Sequence, residues 1–482
     1  MTTAVKTKGG FKNAFKNDET FGTLDLKTLV YIILTVTFFQ LGENVSSGFA
    51  FVAAGIMLVG LLIINPDQMA FAYIVLSASN RLLTLGNTIP LLPLVTIVYV
   101  AREYFLTNDH KKMRIDSGMM SILAVYSLYT LRYIFFNYYI SPFIKTLKLF
   151  FAFIMLIDVF RKCTSKDEAR VKFNQMAFYM SLGLTVTVLI ALIFSSQAES
   201  LGRFSISENS GANILGIYVS SAIALSVIVV MSDNTALFKR IMALMVIPML
   251  YIGLLTQSRT FVILMIITTL WFFGLGFGDV SSRNITTLFV VSAATLIALF
   301  MIFGKNTNLY ELFDTIIDRF LHPRHDDVTG GRTRLAKAYL TTIFGNAKYL
   351  IFGSDGSLPS PGGGVVAHNM IIEVLYAHGL VGTALVAAVY IALSKRIVAS
   401  FKALGFSASF AGALPLVICL SGGMASHTIL GAMPTNEFFV GICSIYYFHD
   451  SSLRRKRTRA TPIRTYQKDR AKRLSEVQGE KR

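Results

Sequence analysis

The chain has 482 residues, of which 54% are hydrophobic and only 15% are charged, against about 25% charged residues in an ordinary soluble domain. Apolar runs of about 17–22 residues recur along the chain, and this is the length needed to cross a hydrocarbon core about 30 Å thick. This composition excludes a soluble globular enzyme. It predicts an all-α, polytopic transmembrane helical bundle.

The net charge of +18 is explained by topology rather than by a nucleic-acid partner. If residues 1–27 are a cytoplasmic N-terminus, nearly every Lys/Arg-rich loop falls on the same side, as the positive-inside rule requires. Fourteen spans within 28–449 are then predicted, or twelve if two weak early spans are re-entrant or interfacial, and an even number places both termini in the cytoplasm. The predicted spans are 28–43, 48–64, 68–84, 89–105, 117–136, 143–160, 174–195, 212–231, 238–256, 260–277, 285–304, 367–393, 406–423 and 434–449. The basic tail, 450–482, is expected to bind anionic lipid headgroups.

Few polar segments remain on the outer side in this topology, and the longest is the loop 305–366. Apolar residues recur at helical spacing within 309–321, and a second amphipathic pattern has Leu335, Tyr339, Ile343 and Leu350 in phase. Helices of this kind lie on a bilayer surface. The loop is therefore predicted to form a partly helical extracytoplasmic cap that acts as a lid over a cavity. A passive surface loop is the alternative.

Arginines on the outer side run against the charge bias, so each needs a local reason. Arg203 follows a span, Arg259 lies in a tight turn between two spans, and Arg332 follows two glycines. Each also has a simpler interpretation. Arg259 could extend to lipid headgroups, Arg203 could be an ordinary loop charge, and Arg332 could cap a helix or pair with the neighbouring pair Asp326–Asp327.

His368 and Asn369 lie where a Gly-rich polar segment runs into a long apolar one. An imidazole at this edge can reach both a lipid-borne and an aqueous substrate. The positive end of the helix dipole favours a neutral ring, as a general base requires, whereas a helix cap is the structural alternative. Asn369 is better suited to cap the helix than to act as a catalyst. Glu373 and His378 fall within the span, where ionisable groups are costly and usually functional, and about 140° apart, so they are not expected to pair.

The order of these residues resembles the O-antigen ligase and O-antigen polymerase superfamily. The order is Arg203 after a span, Ser258-Arg259 at a span boundary, Gly331-Arg332 before an amphipathic helix, and His368-Asn369 followed by Gly379-Leu380-Val381-Gly382. The resemblance covers roughly residues 200–393. The family often has an acidic residue where His378 stands here. The resemblance implies a multi-pass glycosyltransferase of the bacterial inner or plasma membrane with an extracytoplasmic active site. Its implied partners are a polyprenyl-diphosphate-linked glycan, membrane lipids, and chain-length regulator and flippase proteins.

The residue types suit this chemistry, because the leaving group is a lipid diphosphate. Arginine stays protonated near lipid and binds phosphate oxygens in bidentate fashion, which assigns Arg203, Arg259 and Arg332 to the diphosphate. His368 is the candidate catalytic base, with Asn369 and Glu373 as further candidates. No metal spacing stands out on the outer side, and no metal or cofactor is expected.

The expected function is polymerisation of oligosaccharide repeat units for a capsule, an exopolysaccharide or an O-antigen. A ligase that transfers glycan to a lipid or protein acceptor is the alternative within the same class. A lipid-linked-sugar transporter is the alternative from another class, and it should show similar halves and broken helices.

Overall fold

The structure is a computed structural model of the full chain. It describes residues 23–77, 84–85, 89–90, 92–102, 116–137, 141–194, 204, 212–232, 234–276, 314–318, 331–354, 361, 367–404, 406–425 and 440–450. The predicted span 285–304, both chain termini, Arg203 and Asp326–Asp327 lie outside these residues.

Helices make up nearly all of the described chain, which confirms the all-α class. They are α1 (Leu26–Asn44), α2 (Gly48–Ile63), α3 (Pro66–Ser77), α4 (Leu92–Ala101), α5 (Ser117–Asn137), α6 (Ser141–Lys162), α7 (Lys166–Phe194), α8 (Ala212–Met231), α9 (Ala236–Leu255), α10 (Arg259–Gly276), α11 (Arg332–Phe344), α12 (Ala347–Phe352), α13 (Met370–Leu404) and α14 (Phe406–Ala425). Residues 314–318 and 440–450 are also helical. One antiparallel pair of two-residue strands, β1 (Thr84–Leu85) and β2 (Ile89–Pro90), lies between α3 and α4.

The exterior of the bundle is apolar, as a membrane requires. Six described helices are long and apolar enough to cross a bilayer: Leu26–Asn44, Ser117–Phe135, Lys166–Phe194, Ala212–Met231, Ala236–Leu255 and Met370–Lys402. Large apolar side chains such as Leu62, Leu128 and Phe135 are exposed on helix surfaces, where water would penalise them and lipid would not. The chain is therefore a polytopic helical membrane protein.

Two sets of contacts align α5 and α13 as antiparallel neighbours. At one end Arg396 of α13 forms an ion pair with Asp116, which also accepts a hydrogen bond from the Tyr446 hydroxyl (2.5 Å). At the other end Tyr133 of α5 contacts His378 of α13. Residues 116 and 133 are about 26 Å apart along a helix, which approaches the thickness of a hydrocarbon core. We call these the Asp116 end and the His378 end of the bundle.

The helix α13 is broken at Gly379, although the apolar run 367–393 predicts one continuous span. Gly379 has φ 66° and ψ −170°, a conformation open essentially to glycine alone. A Cβ atom there would lie 2.3 Å from the Ile351 carbonyl oxygen, so the break is also a point of close backbone approach. Residues 380–404 alone form a helix about 37 Å long, enough to cross a bilayer without the preceding segment.

Candidate functional site

His368 lies directly before α13 in a left-handed backbone conformation, with φ 52°. Its backbone N–H donates to Oε1 of Glu373 (3.1 Å), and its side chain is half-buried. The Glu373 carboxylate therefore holds the backbone from which the imidazole projects. Glu373, a predicted site candidate, thus has a contact that positions His368.

Asn369 caps the N-terminus of α13. Its Oδ1 accepts from the backbone N–H groups of Ile371 (3.0 Å) and Ile372 (3.2 Å), and its carbonyl accepts from the Glu373 N–H (3.0 Å). Such a cap satisfies N–H groups that the first helical turn leaves without partners. Asn369 therefore caps the helix, which is the role that its position predicts.

Arg332 is close enough to His368 to act on its charge. Burial lowers the pKa of the His368 imidazole below its usual value, and the positive charge of Arg332 lowers it further. The ring is therefore neutral at neutral pH. The helix dipole alone predicts a lowered pKa for His368, whereas burial and the charge of Arg332 are the causes in the structure.

Packing between α11 and α13 explains how Arg332 reaches the site. Arg332 is the first residue of α11, and the Tyr339 ring of α11 stands edge-on to the Tyr376 ring of α13, with centroids 4.8 Å apart. Tyr339 and Ile343 are the buried residues of α11, as the amphipathic pattern predicts. Leu350 belongs to the separate helix α12, because Asn346 starts a new helix by capping Lys348 (2.9 Å).

Arg259 begins α10 directly after a tight turn. The hydroxyl of Ser258 donates to Oδ1 of Asn213 (2.7 Å) and accepts from the Phe261 N–H (3.3 Å), so it both caps α10 and ties the turn to α8. Gln257 in this turn has φ 46°. These contacts fix the backbone from which the half-buried Arg259 projects.

Arg203 lies outside the described residues, but its neighbour Phe204 is described. The Phe204 N–H donates to the carbonyl of Leu255 (3.1 Å). Leu255 is the last residue of α9 and precedes the turn that carries Arg259. The chain next to Arg203 is therefore attached to the same turn.

The described contacts bring His368 and Arg332 close together. They separately tie Phe204 to the end of α9, next to the turn that carries Arg259. Helix α14 packs against both α10 and α13 and so connects the two groups. Gln257 and His368 are the non-glycine residues with positive φ in the described part of the chain, and backbone strain of this kind collects at functional sites.

A cluster of side chains on α5 supports the break in α13, and none of these side chains is among the predicted site residues. The Tyr133 hydroxyl donates to the Ala377 carbonyl (2.5 Å) and lies 2.8 Å from Nδ1 of His378. The Tyr129 hydroxyl donates to the His378 carbonyl (2.6 Å). Side chains of α5 therefore satisfy carbonyls that the break removes from the helical ladder.

Arg132 completes this cluster by joining α5 to α12. Its guanidinium donates to the Phe352 carbonyl and lies 4.2 Å and 4.8 Å from the ring centroids of Tyr129 and Tyr133. An arginine inside an apolar span is the sequence signal for such a site, because a charge at that depth needs partners.

His378 is 2% exposed and lies edge-on to the rings of Tyr126 and Tyr133. Glu373, in contrast, accepts from the His368 backbone. The two ionisable residues of this segment therefore have different partners, in line with their predicted angular separation.

No protein-family model and no curated protein matches the chain.

Proposed function

We propose that the protein is a membrane glycosyltransferase that uses a polyprenyl-diphosphate-linked glycan as donor, and that it polymerises oligosaccharide repeat units at the His378 end of the bundle. This end would face the outside of the cell, because the basic loops then lie in the cytoplasm. The observation that carries the proposal is the position of His368: Glu373 holds its backbone at the start of α13, its imidazole is half-buried, and the charge of Arg332 acts on it.

The pair can serve both halves of a glycosyl transfer. The His368 imidazole accepts the proton of the acceptor hydroxyl while that oxygen bonds to the anomeric carbon of the donor. The bond between this carbon and the diphosphate oxygen breaks, and its electron pair leaves with the diphosphate. Arg332 neutralises the charge that develops, with Arg259 and Arg203 as further donors. Proton transfer of this kind contributes roughly 10²–10⁴-fold, and a preorganised donor contributes about 3–4 kcal/mol.

The break in α13 is one observation in favour of a transporter, since transporters use broken helices to bind their cargo. In this chain, however, the carbonyls at the break already have partners. The Tyr376 carbonyl accepts from the Ser354 N–H (2.7 Å), the Ala377 carbonyl accepts from Tyr133 and the His378 carbonyl accepts from Tyr129. Because these groups are occupied, the break fits a rigid support better than a binding site for an ion.

Incubation of the purified protein with lipid-linked repeat units alone tests the proposal. A ladder of products separated by one repeat unit is the expected result. Product that forms only after addition of a separate lipid or protein acceptor would identify a ligase instead. The matched control is His368→Gln, which should give no ladder.

Reconstitution in vesicles separates the enzyme from the transporter. A fluorescent lipid-linked sugar placed in one leaflet should not cross faster with the protein than without it. Rapid crossing together with no product from any acceptor would contradict a glycosyltransferase.

A further inference from the structure

Helix α13 folds back on itself at the Gly379 break. In a straight helix Met370 and Tyr390 would lie about 30 Å apart, because each residue advances the axis by about 1.5 Å. The Tyr390 hydroxyl instead lies 3.9 Å from Sδ of Met370, to which it donates. Two side chains of this size cannot bridge the separation of a straight helix. Residues 370–378, the short arm, therefore lie beside residues 380–404, the long arm.

The residues next to the break show the same reversal. A Cβ atom on Gly382 would lie 2.3 Å from Cβ of His378, whereas side chains four residues apart on a regular helix are separated by about 5–6 Å at Cβ. His378 therefore lies over the first turn of the long arm. A side chain larger than hydrogen at position 382 would hold the two arms apart.

The two arms contribute to one buried core. Met370 and Val374, four residues apart on the short arm, belong to the same buried apolar cluster as Val386 and Val389 of the long arm. Ile371, on another face of the short arm, is exposed. The short arm thus has one buried face, and the burial of its apolar side chains favours the folded-back state.

The end of the short arm determines where His368 lies. His368 is two residues from Met370, and the Glu373 carboxylate accepts its backbone N–H, which ties it to the first turn of the short arm. Tyr390 lies eleven residues beyond the break, about 16 Å along a long arm of about 37 Å. His368 is therefore brought beside the half of the long arm that is nearer the break, although it follows a polar loop in the sequence.

We propose that Tyr390 is a positioning residue for His368: its contact with Met370 fixes the end of the short arm and thereby holds the imidazole against the bundle. Sulfur is a weak acceptor, so the packing of the Tyr390 ring should contribute more than the hydroxyl. The inference rests on the proposed function in one respect, because it takes His368 as the base of glycosyl transfer. The fold-back itself can be tested without any substrate.

Distances between spin labels test the fold-back in the full chain, reconstituted in lipid nanodiscs after the native cysteines have been changed to alanine. One variant carries labels at Ile371 and Ile391, one on each arm. The matched control carries them at Val381 and Phe401, which are also twenty residues apart but lie on the long arm alone, and all four positions are exposed. We expect about 30 Å for the control and about half that distance across the break. Equal distances would overturn the inference.

The reactivity of His368 tests the positioning role. Diethyl pyrocarbonate modifies neutral imidazole, and mass spectrometry of peptides measures His368 separately from His449. Tyr390→Ala and Met370→Ala remove the same contact from either arm, so each should raise the rate of modification at His368 several-fold and leave that at His449 unchanged. Tyr390→Phe retains the ring and should restore the wild-type rate. Tyr251→Ala, which removes an exposed tyrosine of α9, should have no effect.

Glycosyl transfer should respond to the same variants. Tyr390→Ala should lower the maximal rate about 10²-fold, which is the cost of a displacement of about 1 Å at a reacting group. The half-saturating donor concentration should stay close to that of the wild type, because donor binding is assigned to the arginines. Tyr390→Phe should retain most of the rate, as a role in positioning requires.

Each contrary result has a definite meaning. A wild-type rate of modification at His368 in both alanine variants would overturn the role of Tyr390, even with a short distance across the break. A short distance and raised reactivity without transfer to any acceptor would leave the position of His368 standing and remove the proposed transferase. Transfer by the wild-type protein together with equal label distances would do the reverse.

Discussion

The His368 ring is kept neutral by two effects that act in the same direction, burial and the charge of Arg332. A neutral imidazole is the form that accepts a proton, so both effects favour a general base. The His368 backbone is in the left-handed region, which costs a non-glycine residue about 1–3 kcal/mol of folding free energy. The Glu373 carboxylate offsets part of this strain by accepting the His368 N–H.

His368→Gln is expected to lower glycosyl transfer by roughly 10²–10⁴-fold while lipid binding remains. Because the pKa of His368 is lowered, the wild-type rate should hold to a pH below the usual histidine pKa and fall only as the ring protonates. The measurement is the transfer rate against pH for both proteins. A glutamine variant with the wild-type rate and pH profile would leave His368 a structural role only. As a folding control, His368→Gly should be equally inactive without a lower thermal midpoint, since glycine adopts positive φ freely.

Substitutions of Arg332 should separate the effect of its charge on the pKa of His368 from its bidentate binding of phosphate. Arg332→Gln removes the charge, so the pKa of His368 rises towards its usual value and the acidic limb of the rate profile moves to higher pH. Arg332→Lys keeps the charge and should leave this limb in place, while it lowers the rate through loss of bidentate phosphate binding. Identical pH profiles for the two variants would show that the arginine charge does not act on His368.

Arg259→Lys is expected to lower transfer about tenfold to a hundredfold, as the loss of a bidentate contact of roughly 1.5–3 kcal/mol implies. Folding should be preserved, because Ser258 and Asn213 hold the turn independently of the guanidinium. Thermal stability measured alongside activity checks this expectation. Full turnover in the lysine variant would remove Arg259 from the diphosphate site.

At the scale of elements, the periodicity of apolar residues was sufficient to predict most helices. The predicted spans 117–136, 212–231 and 238–256 match α5, α8 and α9 within two residues at each end, because lipid-facing and core-facing residues there are alike apolar. The two parts of the amphipathic pattern ending at Leu350 lie on different helices, since the Gly345–Asn346 pair ends one helix and starts another.

The break at Gly379 could not be predicted in the same way. A glycine within an apolar run is compatible with a continuous helix, and what breaks this one is contact with residues far away in sequence. Gly353 and Gly379 are paired by backbone approach, and a Cβ atom at Gly353 would lie 2.3 Å from the Ala377 carbonyl oxygen. Tyr133 contributes from yet another helix. The one sequence signal was Arg132, because a charged side chain within an apolar span needs a polar partner.

Gly379→Ala should lower the apparent thermal midpoint, because the new Cβ would overlap the Ile351 carbonyl oxygen. The backbone conformation alone costs a non-glycine residue about 1–3 kcal/mol. Transfer should fall as well, since the break supports the segment that carries Glu373 and His368. Gly55→Ala in α2 is the matched control, because a Cβ atom there meets nothing within 4 Å. A midpoint equal to that of the control would mean that the break tolerates a side chain.

At the scale of the whole molecule, the α5–α13 pair defines the two ends of the bundle. The ion pair of Arg396 with Asp116 and the contact of Tyr133 with His378 lie at opposite ends of the same two helices. Burial would raise the pKa of Asp116, but the Tyr446 hydrogen bond and the Arg396 charge outweigh it, and the pKa is lowered. His368, Asn369 and Glu373 lie at the start of α13, on the other side of the Gly379 break from this ion pair.

The placement of the two ends relative to the cell is tested by cysteine labelling. Cysteines replace Lys348 on α12 and Lys402 in the last turn of α13, both exposed, after the three buried native cysteines have been changed to alanine. If the basic loops lie in the cytoplasm, as the positive-inside rule predicts, Lys402 lies there too, and the helix of residues 380–404 is long enough to reach from Lys402 to α12 across a bilayer. An impermeant maleimide added to intact cells should therefore label position 348 alone, and both positions after permeabilisation. Labelling of position 402 in intact cells would reverse the orientation. It would also remove the extracytoplasmic site, because His368 lies at the same end of α13 as α12.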